Sequence, residues 1–286
     1  LAAALRAEGM KESTIKNRIR HLGSVLNWAY DKDYISQKIK LPKCPQAIGD
    51  EMKGRPLVQE EYERMLAACD KIQPADAADW RRLITGLWLS GLRLSEIQKL
   101  SWDDHAPFAV DVSGKYPVFR IHGSQQKNKK TQLVPMTPDF YRFICSTTPP
   151  EHRKGCVFYV GNRESNMTSR KIGDKIAAIG REAGVIVDAE SGKCASCHDL
   201  RRSFGSRWAR KVMPLVLKSL MRHHSLDTTL RFYVSLDAAD TAGELWDKFG
   251  SQTGFNETSD ETSAISPLMI EQGSELQLPL QPAYKG

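Results

Sequence analysis

Apolar residues recur at helical spacing near the start of the chain. Between Thr14 and Tyr30 they lie three or four positions apart, at Ile15, Ile19, Leu22, Leu26 and Ala29. Residues at this spacing share one face of an α-helix, so the pattern predicts an amphipathic helix. Ser13 or Thr14 is expected to cap its first turn, because a hydroxyl oxygen there can accept a free backbone N–H.

A second group of helices follows a stretch rich in proline and glycine at residues 41–57, which is typical of a linker. Beyond it, the spacing of apolar residues predicts a helix at 76–89 with Trp80, Ile84, Leu87 and Trp88 toward a core. Gly91 is expected to end this helix, and Ser95 to cap a short one. Further helices are predicted at 59–69, from Phe140 onward, and at 168–183, 198–211, 214–222 and 228–233.

Three short segments rich in β-branched and aromatic residues interrupt the helices. They are FAVDV at 108–112, YPVFRIHG at 116–123 and TQLVPM at 131–136. The polar run SQQKNKK between the last two predicts a hairpin whose turn carries Lys127, Lys129 and Lys130. The expected fold class is therefore mainly α with a small antiparallel β-sheet (α+β).

These patterns divide the chain into four segments. Residues 1–40 are a small helical piece, residues 41–57 a linker and residues 58–250 a larger domain. That domain is predicted to end in an amphipathic helix at 238–249, with Leu245, Trp246 and Phe249 on one side. Residues 251–286 are rich in Ser, Thr, Gln and Pro without periodicity, which predicts a disordered tail.

The charge of the chain is unevenly distributed. The formal net charge is +7, but residues 251–286 hold five acidic residues and one basic residue, so residues 1–250 carry +11. A basic body suggests nucleic acid or an anionic membrane surface as the partner, although ordinary solubility charge would look the same. Lys16 and Arg20, off the apolar face of the first helix, are candidate contacts to a phosphate backbone.

Composition also bears on the compartment. No apolar run reaches 18 residues, so a membrane span is not expected. The N-terminus shows no basic segment followed by an apolar core, and only one pair among the six cysteines has a motif spacing. A disulfide framework is not expected, and a reducing cytoplasm fits better.

That cysteine pair lies in KCASCHDLRRSF, which has two interpretations. Cys194-x-x-Cys197-His198 has the spacing of a c-type haem attachment or half a zinc site. Haem would require export and an apolar pocket, whereas charged residues follow His198. Zinc would require four ligands, and no second pair has that spacing. Small, half-buried side chains at a helix start are the favoured role for the cysteines, and no metal site is predicted.

The second interpretation rests on the basic residues. Arg201 and Arg202 lie three and four residues after His198 and share its helix face. Cations at a helix N-terminus oppose the helix dipole, and a bound anion would offset that cost. A purely structural alternative is that one arginine pairs with a buried carboxylate.

Other basic residues extend this interpretation. Arg93 follows the glycine break in SGLRLSEI, with Glu96 placed to hold it, and the lysine turn comes next. His223 and Tyr233 follow in LMRHHSLDTTLRFY. Two arginines can clamp the non-bridging oxygens of a phosphodiester, a lysine can protonate the leaving oxygen and a tyrosine can attack phosphorus.

These motifs resemble the tyrosine recombinase (phage integrase) family. SGLRLSEI resembles its first arginine box, KNKKTQLVPM its lysine hairpin, HDLRRSFGSRWA its His-x-x-Arg box and LMRHHSLDTTLRFY its final box. The resemblance runs from about Arg55 to Phe249. It implies a catalytic domain over residues 58–250, preceded in residues 1–40 by part of a helical core-binding domain.

Two positions depart from the family pattern. Arg222 stands where the glycine before the final-box histidine is usual. Nine residues after His223, where the tyrosine most often falls, the chain has Phe232, and Tyr233 comes one position later. Tyr233 is nonetheless the expected nucleophile, and His224 replaces His223 only if the alignment shifts by one residue.

The resemblance implies roles for the matched residues. Tyr233 would attack a DNA phosphate, Lys127 would act as general acid, and His198 would be a base or hydrogen-bond partner. Arg93, Arg201 and His223 would stabilise the charge on the phosphate. No metal, ATP or other cofactor is implied. DNA contacts are expected from Lys16, Arg20, Lys129, Lys130 and Arg202.

The implied partners are double-stranded DNA and further copies of the chain. The family works as a homotetramer on two DNA sites, with a monomer expected off DNA, and an accessory directionality protein fits the same picture. The expected location is the cytoplasm, on the nucleoid when bound to DNA. Two alternatives stay open: relaxation of DNA as by a type IB topoisomerase, and a catalytically inactive DNA-binding relative.

Overall fold

The computed structural model describes residues 1–41, 54–125, 129–161, 167–234 and 246. The chain divides into units of residues 1–236 and 237–286, and the helices and strands given below belong to the first. Several predicted features lie outside the described residues: most of the linker, Lys127, the helix at 238–249 apart from Trp246, and the tail. The division into segments 1–40, 41–57, 58–250 and 251–286 stays a prediction.

Helices dominate the first unit. Their bounds are α1 Ala2–Ala7, α2 Glu12–Asp31, α3 Gln59–Ile72, α4 Ala77–Ser90, α5 Leu94–Ile97, α6 Pro138–Thr147, α7 Ser169–Glu182, α8 Cys197–Ala209, α9 Pro214–Met221 and α10 Leu226–Val234. The predicted helices that fall within the described residues are confirmed, with ends that differ by a few residues; the helix predicted at 238–249 stays a prediction. Among the described residues, no helix is long and apolar enough to cross a membrane.

The strands form two small sheets. The first contains β1 Leu100–Ser101, β2 Phe108–Asp111, β3 Val118–Ile121 and β4 Gln132–Pro135, in that order. β2, β3 and β4 are antiparallel, as predicted, whereas β1 joins β2 in parallel. The second sheet pairs β5 Ile186–Asp188 with β6 Lys193–Cys194. The β3–β4 hairpin is the one predicted to carry the lysine turn.

Helix α4 forms the centre of the main core. Its side chains Trp80, Ile84, Leu87 and Trp88 are buried, as its periodicity predicted. The helix ends where Gly91 adopts φ +62°, a left-handed conformation that glycine tolerates without strain. An added Cβ at Gly91 would lie 2.3 Å from a ring carbon of Phe204. Glycine therefore lets α8 approach the end of α4.

A second apolar cluster joins the last three helices. Phe204 and Ala209 of α8 pack with Leu217, Met221 and Phe232 from α9 and α10. Tyr233 is partly buried against this cluster. The cluster thereby fixes the position of residues 222–233 relative to α8.

The amphipathic face of α2 is only partly covered. Ile15 is fully buried, whereas Leu22 on the same face is 36% exposed. Trp28, on a different face of the helix, is 55% exposed. The helix begins after Lys11 rather than after Ser13 or Thr14, so the predicted caps were wrong. Neither hydroxyl is therefore needed at the helix terminus.

Candidate phosphodiester-cleavage site

Arg93 immediately precedes α5 and lies two residues after Gly91, the glycine that ends α4. Its backbone N–H donates to Glu96 Oε2 at 2.9 Å, and its Nη1 donates to Glu96 Oε1 at 2.8 Å. Arg93 rather than Ser95 is the N-cap residue, because the Glu96 carboxylate reaches back to satisfy the free N–H. The predicted Arg93–Glu96 contact is present, and it leaves the Arg93 side chain 47% exposed.

The first turn of α8 is held by a buried carboxylate. The Asp199 Oδ2 atom accepts hydrogen bonds from the backbone N–H and hydroxyl of Ser196, at 3.0 and 2.7 Å. This arrangement caps the helix and offsets its N-terminal dipole. It sets the direction in which His198 and Arg201 leave the helix.

Arg201 is buried and connects three segments of the chain. Its Nη1 donates to the Gly91 carbonyl and its Nη2 to the Met221 carbonyl. Burial, followed by the charge of Arg93, lowers the pKa of Arg201 to about 10. A guanidinium held by neutral carbonyls next to a second cation retains an uncompensated positive charge, which an anion would stabilise.

His223 lies two residues after the end of α9. Its Nδ1 is 2.9 Å from Thr229 Oγ1, and its ring stacks on Phe232 at 6.0 Å between centroids. Burial, then the charges of Arg201, Arg93 and His198, lowers the pKa of His223 to about 4. Its imidazole is therefore neutral at pH 7. The Arg201 side chain binds the carbonyls of Gly91 and Met221, which lie two residues before Arg93 and His223, so the fold brings these segments together.

His198 is open to solvent on one side of the same region. The protein around the ring and the charge of Arg202 nonetheless lower its pKa below the usual value. His198, Arg201, Arg93 and His223 thus form one electropositive group. The structure brings these four predicted residues together, while Lys127 lies outside the described residues.

Tyr233 follows on α10 but its hydroxyl has a different partner. The Oη atom donates to the main-chain carbonyl of Val212, in the connection between α8 and α9. The side chain packs against the second apolar cluster. In this conformation the hydroxyl proton is engaged by a main-chain acceptor, and attack on an electrophile requires that bond to break.

The residues predicted to contact DNA fall into two groups. Lys16 is partly exposed, and Arg20, Lys129 and Lys130 are exposed. Arg202 is instead 6% exposed, and its Nη1 donates to the fully buried carboxylate of Asp199. The surface role predicted for Arg202 is not supported, because the structural alternative of pairing with a buried carboxylate is what the chain shows.

The cysteine pair of the CxxCH motif does not form a metal-binding geometry. Cys197 packs against the main core, and burial raises the pKa of its thiol to about 12. The Cys194 thiol lies 3.8 Å from the Gly192 carbonyl. Within the described part of the chain, no three His, Cys, Asp or Glu side chains are grouped as metal ligands.

Two contacts near the candidate site could not be predicted from the sequence. Arg222 forms a 3.0 Å ion pair with Glu96, although the sequence showed it only as a departure from a pattern. Val212 binds Tyr233 through a carbonyl, which every residue type possesses. The left-handed backbone of Arg222 marks the residue as unusual, but this conformation is visible in the structure and not in the sequence.

The low pKa of His223 predicts a pH dependence of stability. An unfolded histidine binds a proton near pH 6.5, whereas folded His223 binds it near pH 4. Between these values the unfolded chain binds more protons than the folded chain does. The stability contributed by neutral His223 is therefore fully present above pH 6.5 and is lost as the pH falls toward 4. Between pH 7.5 and pH 5, the loss attributable to His223 is expected to be about 2 kcal/mol.

Urea unfolding of the wild type and His223→Gln at pH 7.5 and pH 5 measures this effect. The glutamine variant should lose less stability over that interval than the wild type. The exposed His152 provides the control. His152→Gln should show the same change in the free energy of unfolding between pH 7.5 and pH 5 as the wild type. Equal slopes for wild type and His223→Gln would contradict the prediction.

Comparisons with known proteins agree on one family and one fold. The model of the phage integrase family matches residues 55–240. No curated protein sequence matches the chain. The match to the family model spans the segments that carry Arg93, Arg201, His223 and Tyr233.

Three solved structures illustrate the shared fold. The Tn1549 transposon integrase in complex with a circular intermediate DNA is 17% identical, with 86% of this chain and 83% of that chain covered and a TM-score of 0.58. A lambda integrase dimer bound to a core site is 14% identical, with 81% and 76% covered and a TM-score of 0.58. The XerH recombinase bound to its difH substrate is 18% identical, with 85% and 70% covered and a TM-score of 0.58.

Proposed function

The chain belongs to the phage integrase family of tyrosine recombinases, and we propose that it cuts and rejoins duplex DNA through a 3′-phosphotyrosyl intermediate. The observation that carries this proposal is the convergence of Arg93, Arg201 and His223. Burial and mutual repulsion lower the pKa of both Arg201 and His223. A phosphodiester anion bound there would relieve that repulsion.

The proposed reaction assigns one step to each of these groups. Tyr233 leaves the Val212 carbonyl, and its oxygen attacks phosphorus while the bond to the 5′-oxygen breaks. Arg93 and Arg201 stabilise the charge on the non-bridging oxygens, and His223 can donate to the same group through its free ring nitrogen. Lys127 protonates the 5′-oxygen, and His198 accepts the tyrosine proton. A 5′-hydroxyl then attacks the phosphotyrosine and reverses the sequence.

This scheme uses neither metal nor ATP. Two guanidiniums supply the positive charge that a metal ion would otherwise provide. The energy of the broken phosphodiester stays in the phosphotyrosyl bond, so rejoining needs no external donor. Covalent capture should therefore proceed in buffer that contains EDTA and no nucleotide.

The proposed partners are DNA and further copies of the chain. The similar structures are described as integrase or recombinase complexes with DNA. By analogy, four copies would act on two DNA sites, with a monomer off DNA and an accessory directionality protein. Lys16, Arg20, Lys129 and Lys130 would contact phosphates, and the protein would act on nucleoid DNA in the cytoplasm. A lower affinity at higher salt is the corresponding signature.

A suicide substrate tests the proposed function directly. Duplexes that tile the DNA flanking the gene, each nicked so that cleavage releases a short strand, are incubated with the protein in EDTA. We expect a protein–DNA adduct that survives SDS and disappears after protease treatment. Bound DNA without adduct would instead indicate the inactive relative. Relaxation of a supercoiled plasmid without recombination between two sites would indicate the topoisomerase.

A further inference from the structure

Arg222 occupies a backbone conformation that disfavours it. The residue follows the last turn of α9 with φ +52° and ψ +46°, in the left-handed region. Asp33 and Lys129 are the other non-glycine residues with positive φ among those described. Glycine would adopt this conformation without the steric cost that a Cβ imposes. A long charged side chain at such a position invites the question of what it contacts.

The side chain crosses from the α9–α10 turn to α5. Its Nη1 lies 3.0 Å from Glu96 Oε1, and both side chains are largely buried, at 17% and 15% exposed. The guanidinium also lies over the Phe108 ring, 5.9 Å from its centroid. The Nε atom is buried without a hydrogen-bond partner among the described residues. The ion pair is therefore the main polar anchor of this side chain.

Glu96 is shared between two arginines. The same Oε1 atom accepts from Arg93 Nη1 at 2.8 Å and faces Arg222 Nη1 at 3.0 Å. Two cations thus compete for one carboxylate oxygen, and each weakens the hold of that oxygen on the other. With Arg201, the group has three guanidiniums and one carboxylate, a net charge of about +2.

We propose that Arg222 is a positioning residue for DNA cleavage, which acts through Glu96 on Arg93. By occupying part of the Glu96 carboxylate, it leaves Arg93 with positive charge and a guanidinium edge for the scissile phosphate. It also ties the segment that carries His223 to the segment that carries Arg93. This inference rests on the proposed function, because it concerns the same phosphate site.

Arg222→Gly separates this role from folding. Glycine relieves the left-handed backbone, so the variant should fold, and its melting temperature is checked first. Asp33→Gly relieves the same kind of backbone strain at φ +60° on the exposed end of α2 and serves as the control. In single-turnover assays on the suicide substrate, Arg222→Gly should form adduct about tenfold more slowly, with the DNA dissociation constant changed less than about threefold. Asp33→Gly should match the wild type.

Charge rescue then distinguishes positioning from simple support of the structure. Arg222→Lys keeps the cation and should recover part of the lost rate. Adding Glu96→Gln to Arg222→Gly removes the carboxylate charge that neutralises Arg93 yet keeps an acceptor for its N–H. The double variant should be about threefold or more faster than Arg222→Gly alone.

The results overturn the proposal in two ways. A wild-type rate for Arg222→Gly would exclude any part for the side chain in the reaction. A double variant as slow as Arg222→Gly, or slower, would show that Arg222 does not act by offsetting Glu96. Should Arg222→Gly fail to fold, Arg222→Gln replaces it in both comparisons. Absence of adduct from the wild type would instead refute the proposed function itself.

Discussion

Replacement of Tyr233 by phenylalanine is expected to abolish the covalent protein–DNA adduct while DNA binding persists. The change removes the one oxygen that attacks phosphorus in the proposed reaction, and the two arginines that bind the phosphate are untouched. Loss of the hydrogen bond to the Val212 carbonyl should cost about 1 kcal/mol of stability, which the fold can tolerate. The adduct is measured on SDS gels with a labelled suicide substrate, and binding by gel shift.

Tyr62→Phe is the matched control for this variant. The Tyr62 hydroxyl also takes part in a hydrogen bond, with Thr85 Oγ1 at 2.8 Å, and Tyr62 belongs to the main core. Its loss should lower stability by a similar amount without reducing the adduct. Peptide mapping adds an independent test, because trypsin releases a peptide that begins at Phe232 and holds Tyr233 as its single tyrosine. Adduct formation by Tyr233→Phe would assign the nucleophile elsewhere.

Gly91→Ala is expected to lower the free energy of unfolding by about 2–5 kcal/mol, more than the other single substitutions proposed for this chain. The residue has φ +62°, which costs alanine about 1–2 kcal/mol. The new methyl group would also lie 2.3 Å from the Phe204 ring, so α8 or the ring must shift. This shift should cost about a further 1–3 kcal/mol. Because the Gly91 carbonyl accepts from Arg201, the same shift would displace an arginine that is proposed to bind the phosphate.

Gly192→Ala isolates the steric part of that effect. Gly192 has φ +63° but an added Cβ would meet no atom within 4 Å. The control should therefore lose only the backbone contribution, about 1–2 kcal/mol. Denaturant unfolding measures the difference between the two variants, and the suicide substrate measures its consequence for cleavage. Equal stabilities for Gly91→Ala and Gly192→Ala would show that Phe204 moves aside without cost.

Most of the fold follows from local patterns in the sequence. Helix α4 could be predicted because its buried side chains repeat at helical spacing and Gly91 ends it. Helix α7 could be predicted because Thr168 caps it, with the Lys171 N–H 3.4 Å from its hydroxyl. Strands β1, β5 and β6 could not, since two or three residues carry no periodicity. Their existence depends on partners distant in sequence.

The residue types of the site could be predicted from the sequence, but the hydrogen bonds and ion pairs that connect them could not. Arg93, Arg201 and His223 could be selected because of their motifs, and Glu96 because it lies one helical turn from Arg93. The burial of Arg202 against Asp199 could not be foreseen, because only the fold reveals that Asp199 is buried beside it. The acceptors for Arg201 are backbone carbonyls of Gly91 and Met221, which side-chain identity cannot encode.

The bond between Tyr233 and Val212 has a consequence for how this protein can change over evolutionary time. Its acceptor is a main-chain carbonyl, so no substitution at Val212 deletes it. What can alter it is the path of the connection from α8 to α9, residues 210–213. Selection for an earlier or later release of the tyrosine would therefore act through insertions and deletions in this connection. Under the proposed function, the length of this connection would then help to set when the tyrosine hydroxyl is released.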